Sequence, residues 1–160
     1  MRVGKKFEQI IKDSIPKEWF VYRLRDQASA FGDKEKTKFT VSNICDFMIF
    51  DGVKLGLFEL KTCQGKAFSF DDRAMKQYER LKKETGKKNL ITGFIINYRD
   101  YDITIFYDIF MISRFFEATG MKTLNIEKSS HYGFIIPKEE KKRKNSKDVY
   151  ILNELFKIYP

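Results

Sequence analysis

Three charged residues stand inside apolar runs: Asp46 in CDFMIF, and Glu59 and Lys61 in LGLFELKT. Burying an unpaired charge is costly, so each requires a partner, a metal or water. Glu59 and Lys61 are two residues apart and share one face of a strand. Asp51-Gly52 is a turn signal between the two runs. If the hairpin closes symmetrically about Gly52-Val53, Asp46 lies opposite Glu59. If Asp51-Gly52 form the turn, Asp46 opposes Leu57 and Glu59 becomes a diagonal neighbour on the same face. In both cases the three side chains project together, within cross-strand reach. Adjacent carboxylates repel, and a divalent cation relieves the repulsion. An oxygen-only ligand set suits Mg²⁺ or Mn²⁺. Lys61 would then orient or deprotonate a water, or stabilise charge building on a phosphate. The competing reading is a salt bridge in which Lys61 neutralises both carboxylates.

The elements that must position these residues follow from periodicity. Phe7, Ile10, Ile11 and Ile15 predict an amphipathic helix over 4–15 that Pro16 ends. Strands are predicted over 19–24, 43–50 and 55–62. A helix capped by Ser69 or Asp71 runs to Thr85, with Gly86 as its stop. The segment 90–98 is apolar on both faces and predicts a central strand. A strand over 102–107, a helix over 109–119 stopped by Gly120, and a short strand over 133–137 follow. The segment 27–42 is polar and predicts an excursion, 138–147 a basic loop, and 148–160 a C-terminal helix centred on 150–158. The order predicts one α/β domain over 1–160, with a mixed sheet between helices.

The chain has 160 residues and a net charge of +9, with 31 basic and 22 acidic side chains. A hydrophobic fraction of 42% and an aromatic fraction of 16% argue against a disordered chain. No apolar run is long enough for a membrane span, and MRVGKKFEQI does not read as a signal peptide. Two Cys without a C-x-x-C and a single His predict small buried thiols in a cytoplasmic protein, not a metal site. His131 reads as a solvated loop residue, with a general base as the alternative. Basic residues cluster at Arg2, Lys5 and Lys6, at Lys34, Lys36 and Lys38, at Lys82, Lys83, Lys87 and Lys88, and between Lys138 and Lys147. Four clusters on one domain suit a nucleic-acid backbone. Arg23 and Arg25 share a strand face and either touch phosphate or form a cross-strand salt bridge.

An Asp followed after 12 residues by Glu59-Leu60-Lys61, on a hairpin flanked by a helix and strand on each side, resembles the PD-(D/E)xK nuclease superfamily. Gly4-x-x-Phe7-Glu8 on the first helix and Gln77 in KQYERL resemble one branch of it, the RecU-type Holliday-junction resolvases and their phage-encoded relatives. The match spans roughly residues 4–137. Two departures stand out. The stretch 28–42, where bacterial members carry a long Pro-containing insertion, is short and lacks Pro, and Cys45 replaces the superfamily's Pro before the Asp.

The resemblance implies a restriction-endonuclease-like αβββαβ core and a Mg²⁺-dependent DNA endonuclease of recombination and repair, cutting four-way junctions as a homodimer. It implies that Asp46, Glu59 and the Leu60 backbone carbonyl hold one or two Mg²⁺ (or Mn²⁺), with Glu8 as a further ligand. Lys61 stands beside the attacking water, and Gln77 positions water or touches the DNA backbone. Lys5, Lys6, Arg23, Arg25, Lys34, Lys36 and Lys38 are the expected DNA contacts. Ile103 to Tyr107 and Phe110 to Phe116 are apolar enough to contribute to a dimer surface. Two alternatives stay open: a restriction-like or repair nuclease on other DNA, and a non-catalytic DNA-binding module on the same fold.

Overall fold

The computed structural model describes residues 3–24, 43–139 and 149–159. The excursion 27–42, residues 140–147 of the basic loop, and with them Arg25, Lys34, Lys36 and Lys38, lie outside the described residues.

Helix α1 (Val3–Ser14) is followed by the antiparallel strands β1 (Phe20–Arg23), β2 (Phe47–Phe50) and β3 (Leu55–Cys63). The short strand β4 (Ala67–Ser69) leads to α2 (Asp72–Glu84), which crosses to β5 (Leu90–Tyr98), parallel to β3. A 3₁₀ turn (Arg99–Tyr101) then leads to β6 (Ile103–Asp108) and α3 (Ile109–Thr119). Strand β7 (Thr123–Asn125), α4 (Ile126–Ser129), a 3₁₀ turn (Ser130–Tyr132), β8 (Phe134–Ile135), β9 (Lys138–Glu139), β10 (Val149–Tyr150) and α5 (Leu152–Lys157) complete the described chain. The main sheet has the order β1-β2-β3-β5-β6-β8 and is mixed, because only β3 and β5 run parallel.

One face of the sheet packs on α2 and α3 through Tyr78, Leu81, Phe94, Ile112 and Phe115; the other packs on α1 and α5 through Phe7, Ile11, Phe58, Leu155 and Phe156. This is the predicted mixed sheet between helices. The greasy segment 90–98 is indeed interior, between β3 and β6.

The turn closes about Gly52-Val53. Phe47 pairs with Phe58 and Phe50 with Leu55, and Asp51 N–H donates to the Lys54 C=O. Asp51 Oδ1 accepts from the N–H groups of Val53 and Lys54, and Gly52 takes the positive φ of 103° that the turn requires. Asp71, and not Ser69, caps α2 by accepting from Ala74 N–H. Ser69 instead ends β4, which pairs with β7 in a small separate sheet.

Several expectations are corrected. The strand predicted to start at 43 begins at Phe47. The C-terminal helix is shorter than 148–160, since Val149–Tyr150 forms a strand with Lys138–Glu139. Strand β6 offers no dimer surface, because it lies between β5 and β8 and its side chains from Thr104 to Tyr107 are buried within the chain. Ile112, Phe115 and Phe116 of α3 are likewise in the chain's own core, and of the helix's large apolar side chains Phe110 is the exposed one.

The last described helix is an integral part of the core. Phe156 meets Trp19 edge-on at 4.7 Å between ring centroids and Phe58 at 5.9 Å. Gly56 leaves space for this packing, since a Cβ there would stand 2.3 Å from the Phe58 ring and 3.1 Å from that of Phe156. Lys54 Nζ donates to the Phe156 C=O at 2.9 Å and also to that of Tyr159, capping the helix end. Truncating the buried ring in Phe156→Ala is therefore expected to cost about 3–5 kcal/mol of unfolding free energy. Urea denaturation measures this, and a change under about 1 kcal/mol would show that α5 is dispensable to the core.

Candidate active site

Strand β3 outruns its partner. β2 pairs with Leu55 to Phe58 only, so Glu59 to Cys63 extend past the start of β2. Alternate residues of a strand present their N–H and C=O to the same edge. Phe58 C=O accepts from Asp46 N–H at 3.1 Å, so Leu60 turns its backbone groups to that same edge where no strand follows. Asp46 fills the place: its Oδ2 accepts from Leu60 N–H at 2.8 Å. Its own C=O accepts from Leu24 N–H. The Asp46-to-Phe58 bond is one residue out of the Phe47–Phe58 register. The chain therefore enters β2 through an offset like that of a bulge, which aims the Asp46 side chain past the strand end.

Glu59 points to the α2 face and is 2% exposed. Two donors converge on its Oε1: Lys61 Nζ at 2.8 Å, and Gln77 Nε2 from α2. Burial, and then the neighbouring Asp46 carboxylate, push the Glu59 carboxyl up to about 7, against the pull of Lys61. Glu8 enters from α1, on the other layer, and is ion-paired with Arg23 of β1. Burial raises its pKa, with Arg23 opposing and Asp46 adding to the rise.

These side chains line one open cleft of about 390 Å³, whose walls also carry Lys5, Arg73 and Asp71. Among the described residues, four basic and four acidic side chains line the cleft, Lys5, Arg23, Lys61 and Arg73 against Glu8, Asp46, Glu59 and Asp71. Their formal charges cancel, on a chain that carries +9.

The structure brings Lys5, Glu8, Arg23, Asp46, Glu59, Leu60 and Lys61 to this one cleft, with Gln77 beneath it on Glu59. Lys6 is exposed on α1 and does not line it. Three sequence readings change. Lys61 does not neutralise both carboxylates: it pairs with Glu59, while Asp46 is held by a backbone N–H. Arg23 does not form the cross-strand salt bridge; its partner is Glu8, from helix to strand. Gln77 is buried, so it acts on Glu59 and not on the DNA backbone. Arg73 and Asp71 were missed as cleft residues. In the sequence Asp71 carries only a capping signal, and Arg73 has no signal beyond lying two residues after it. Cys45 is buried, with its thiol pushed up to about 12 by burial, so it stays protonated beside Asp46. His131 is exposed on the Ser130–Tyr132 turn and is not among the cleft residues.

The donor set fits a hard divalent cation. Asp46 and Glu59 are carboxyls in close contact at a desolvated position, which calls for a shared proton or a cation. Gln77 Oε1 is a buried acceptor without a hydrogen-bond partner, while Glu8 Oε2 is taken by Arg23. Among the described residues no three His, Cys, Asp or Glu side chains come close enough to hold an ion together. A cation here would take Asp46, Glu59 and the Leu60 carbonyl, with water in its remaining positions. Glu8 would act through water.

No protein-family model matches the chain. It is 30% identical over 107 residues to the SPbeta prophage-derived uncharacterized protein YotM of Bacillus subtilis (strain 168); the match covers 65% of this chain and 54% of that one. The chain thus spans about half the length of this curated relative. In three dimensions it is similar to Hjc, a Holliday junction resolvase from the archaeal hyperthermophile Archaeoglobus fulgidus. The TM-score is 0.51 at 10% identity, over 84% of this chain and 92% of Hjc. The mixed α/β fold is therefore that of the Hjc resolvase. No helix among the described residues is long and apolar enough to cross a membrane.

The raised Glu59 carboxyl has a consequence for stability. Its folded-state pKa of about 7 exceeds the ordinary 4.5, so the folded protein binds this proton more tightly than the unfolded chain does. The associated stability is fully present below pH 4.5 and is lost as pH rises through 7. Without divalent metal, stability is expected to fall over that window, and Glu59→Gln is expected to flatten the fall. Urea midpoints at intervals across the window check both, and a metal-free protein that gains stability over it would contradict the assignment.

Proposed function

We propose that this chain is a Mg²⁺-dependent DNA endonuclease that resolves four-way junctions by paired phosphodiester hydrolysis, of the RecU type in its phage-like form. The observation that carries the reading is the buried Glu59 carboxyl. It touches Asp46, is held by Lys61 and Gln77, and opens on a cleft whose lining charges cancel among the described residues. A bound cation would offset the carboxyls and leave the cleft net positive toward a polyanionic substrate.

Asp46, Glu59 and the Leu60 carbonyl would hold Mg²⁺ or Mn²⁺. The chemistry that such an ion supplies when bound is acidification of a water and neutralisation of charge on the phosphate. The chain's own groups do the rest. Leu60 N–H fixes the Asp46 carboxylate, and Gln77 fixes that of Glu59. Lys61 Nζ, already at Glu59, is in place to orient the attacking water or to meet the developing negative charge. Arg23 keeps Glu8 turned into the cleft, and Lys5 on α1 offers a positive charge to the phosphate. Two symmetric cuts need two such sites, so we infer a twofold dimer acting on branched DNA. The fold similarity to Hjc supports the junction substrate over ordinary duplex.

The test is cleavage of a synthetic four-way junction and of a linear duplex of the same sequence with Mg²⁺. The expected result is paired nicks in the junction, with Asp46→Ala reducing the rate by at least about 10²-fold while junction affinity stays within a few-fold. Cutting of duplex with intact junctions would favour a restriction-like or repair nuclease. Binding without cleavage under any divalent metal would favour a non-catalytic DNA-binding module.

A further inference from the structure

Helix α2 carries more than Gln77. Arg73, Lys76, Arg80 and Lys83 recur at intervals of three, four and three residues, which places them on one face of the helix. The buried positions Ala74, Gln77, Tyr78 and Leu81 form the adjoining face. Lys82, which in sequence belongs to the same basic cluster, turns elsewhere and lies 5.5 Å from the centre of the Tyr78 ring. The organising unit is thus a stripe along the helix and not a cluster at its end. Arg73 starts the stripe as a wall of the cleft.

Like charges at these intervals repel, and Asp72 and Glu79, at i,i+4 to Lys76 and Lys83, offset part of that repulsion. Among the described residues, Lys76 and Lys83 are exposed and make no ion pair, and the buried Arg80 Nε has no hydrogen-bond partner. Glu84 stands near the far end but is paired with Lys87, and Asp72 and Glu79 lie on the neighbouring flank. From Arg73 to Lys83 the stripe is about 15 Å long, at 1.5 Å per residue. Measured along the duplex axis, that length is the rise of about four phosphates of one strand of B-DNA.

We infer that the α2 stripe of Arg73, Lys76, Arg80 and Lys83 is a backbone track for a duplex DNA arm, leading away from the cut phosphate in the cleft. This inference rests on the DNA-endonuclease reading and adds where the substrate runs. It sets the arm along α2, on the Arg73 wall of the cleft and not on the Lys5 wall. The contacts are to phosphate, so they carry position and affinity without base preference.

The experiment is fluorescence anisotropy of a labelled four-way junction across a salt series, with Ca²⁺ in place of Mg²⁺ to keep the DNA intact. Lys76→Gln/Lys83→Gln changes only exposed side chains and so spares the fold, which circular dichroism checks. Its slope of log affinity against log salt is expected to be shallower than that of the wild type by about two. Lys128→Gln/Lys157→Gln, with the same charge loss on α4 and α5, is expected to leave the slope within about half a unit of the wild type. Adding Arg80→Gln to the stripe variant should lower the slope by about one more. An unchanged slope in the stripe variant, or an equal loss in the control, overturns the track while leaving the nuclease reading intact. Wild-type protein that binds no DNA overturns both.

Discussion

A carboxylate that is 2% exposed is the constraint around which this molecule is organised. Glu59 sits on a strand whose other inward residues are apolar, beneath a helix. Desolvation alone would drive it to neutrality. The surrounding structure supplies two donors to one of its oxygens, from Lys61 on the same strand and from Gln77 on α2. It also sets a second carboxyl against it. The donors do not fully compensate, and its pKa remains high. A Leu here would avoid the desolvation cost, so the buried carboxyl marks this position as a candidate functional site.

The two layers meet at this point. α1 brings Glu8 and Lys5 from one face of the sheet, α2 brings Gln77 and Arg73 from the other, and the premature end of β2 opens the gap between them. An edge backbone group left by that ending, the Leu60 N–H, is satisfied by Asp46, so one hydrogen bond both seals a strand edge and aims a candidate ligand. Among the described residues the formal charges that line the resulting cleft cancel, within a basic protein. On the proposed nuclease reading, long-range attraction of the polyanion would belong to the outer surface, and local reactivity to the carboxyl pair and the cation it would hold.

Much of this was legible in the chain. The Asp51-Gly52-Val53-Lys54 turn and two-residue alternation set Glu59 and Lys61 on one face near Asp46, since strand parity is a local rule, while the offset at Asp46 is not legible from parity. The helix over 109–119 and the strand over 90–98 match their predicted ends. The short strands Ala67–Ser69, Thr123–Asn125 and Val149–Tyr150 went unseen, because two or three residues are too few to show a period and their pairing partners are distant in the chain.

The sequence by itself determined which residues carry charge into apolar strands, the order of the main elements, and hence a mixed sheet between helices. These follow from patterns within a few residues of each other. Only the tertiary structure decided the partners. Arg23 goes to Glu8, Gln77 turns inward to Glu59, Asp46 takes the Leu60 N–H, and Phe156 closes the core against Trp19. Each of these contacts joins different elements, and their geometry depends on where layers cross and where a strand stops, which no local period records.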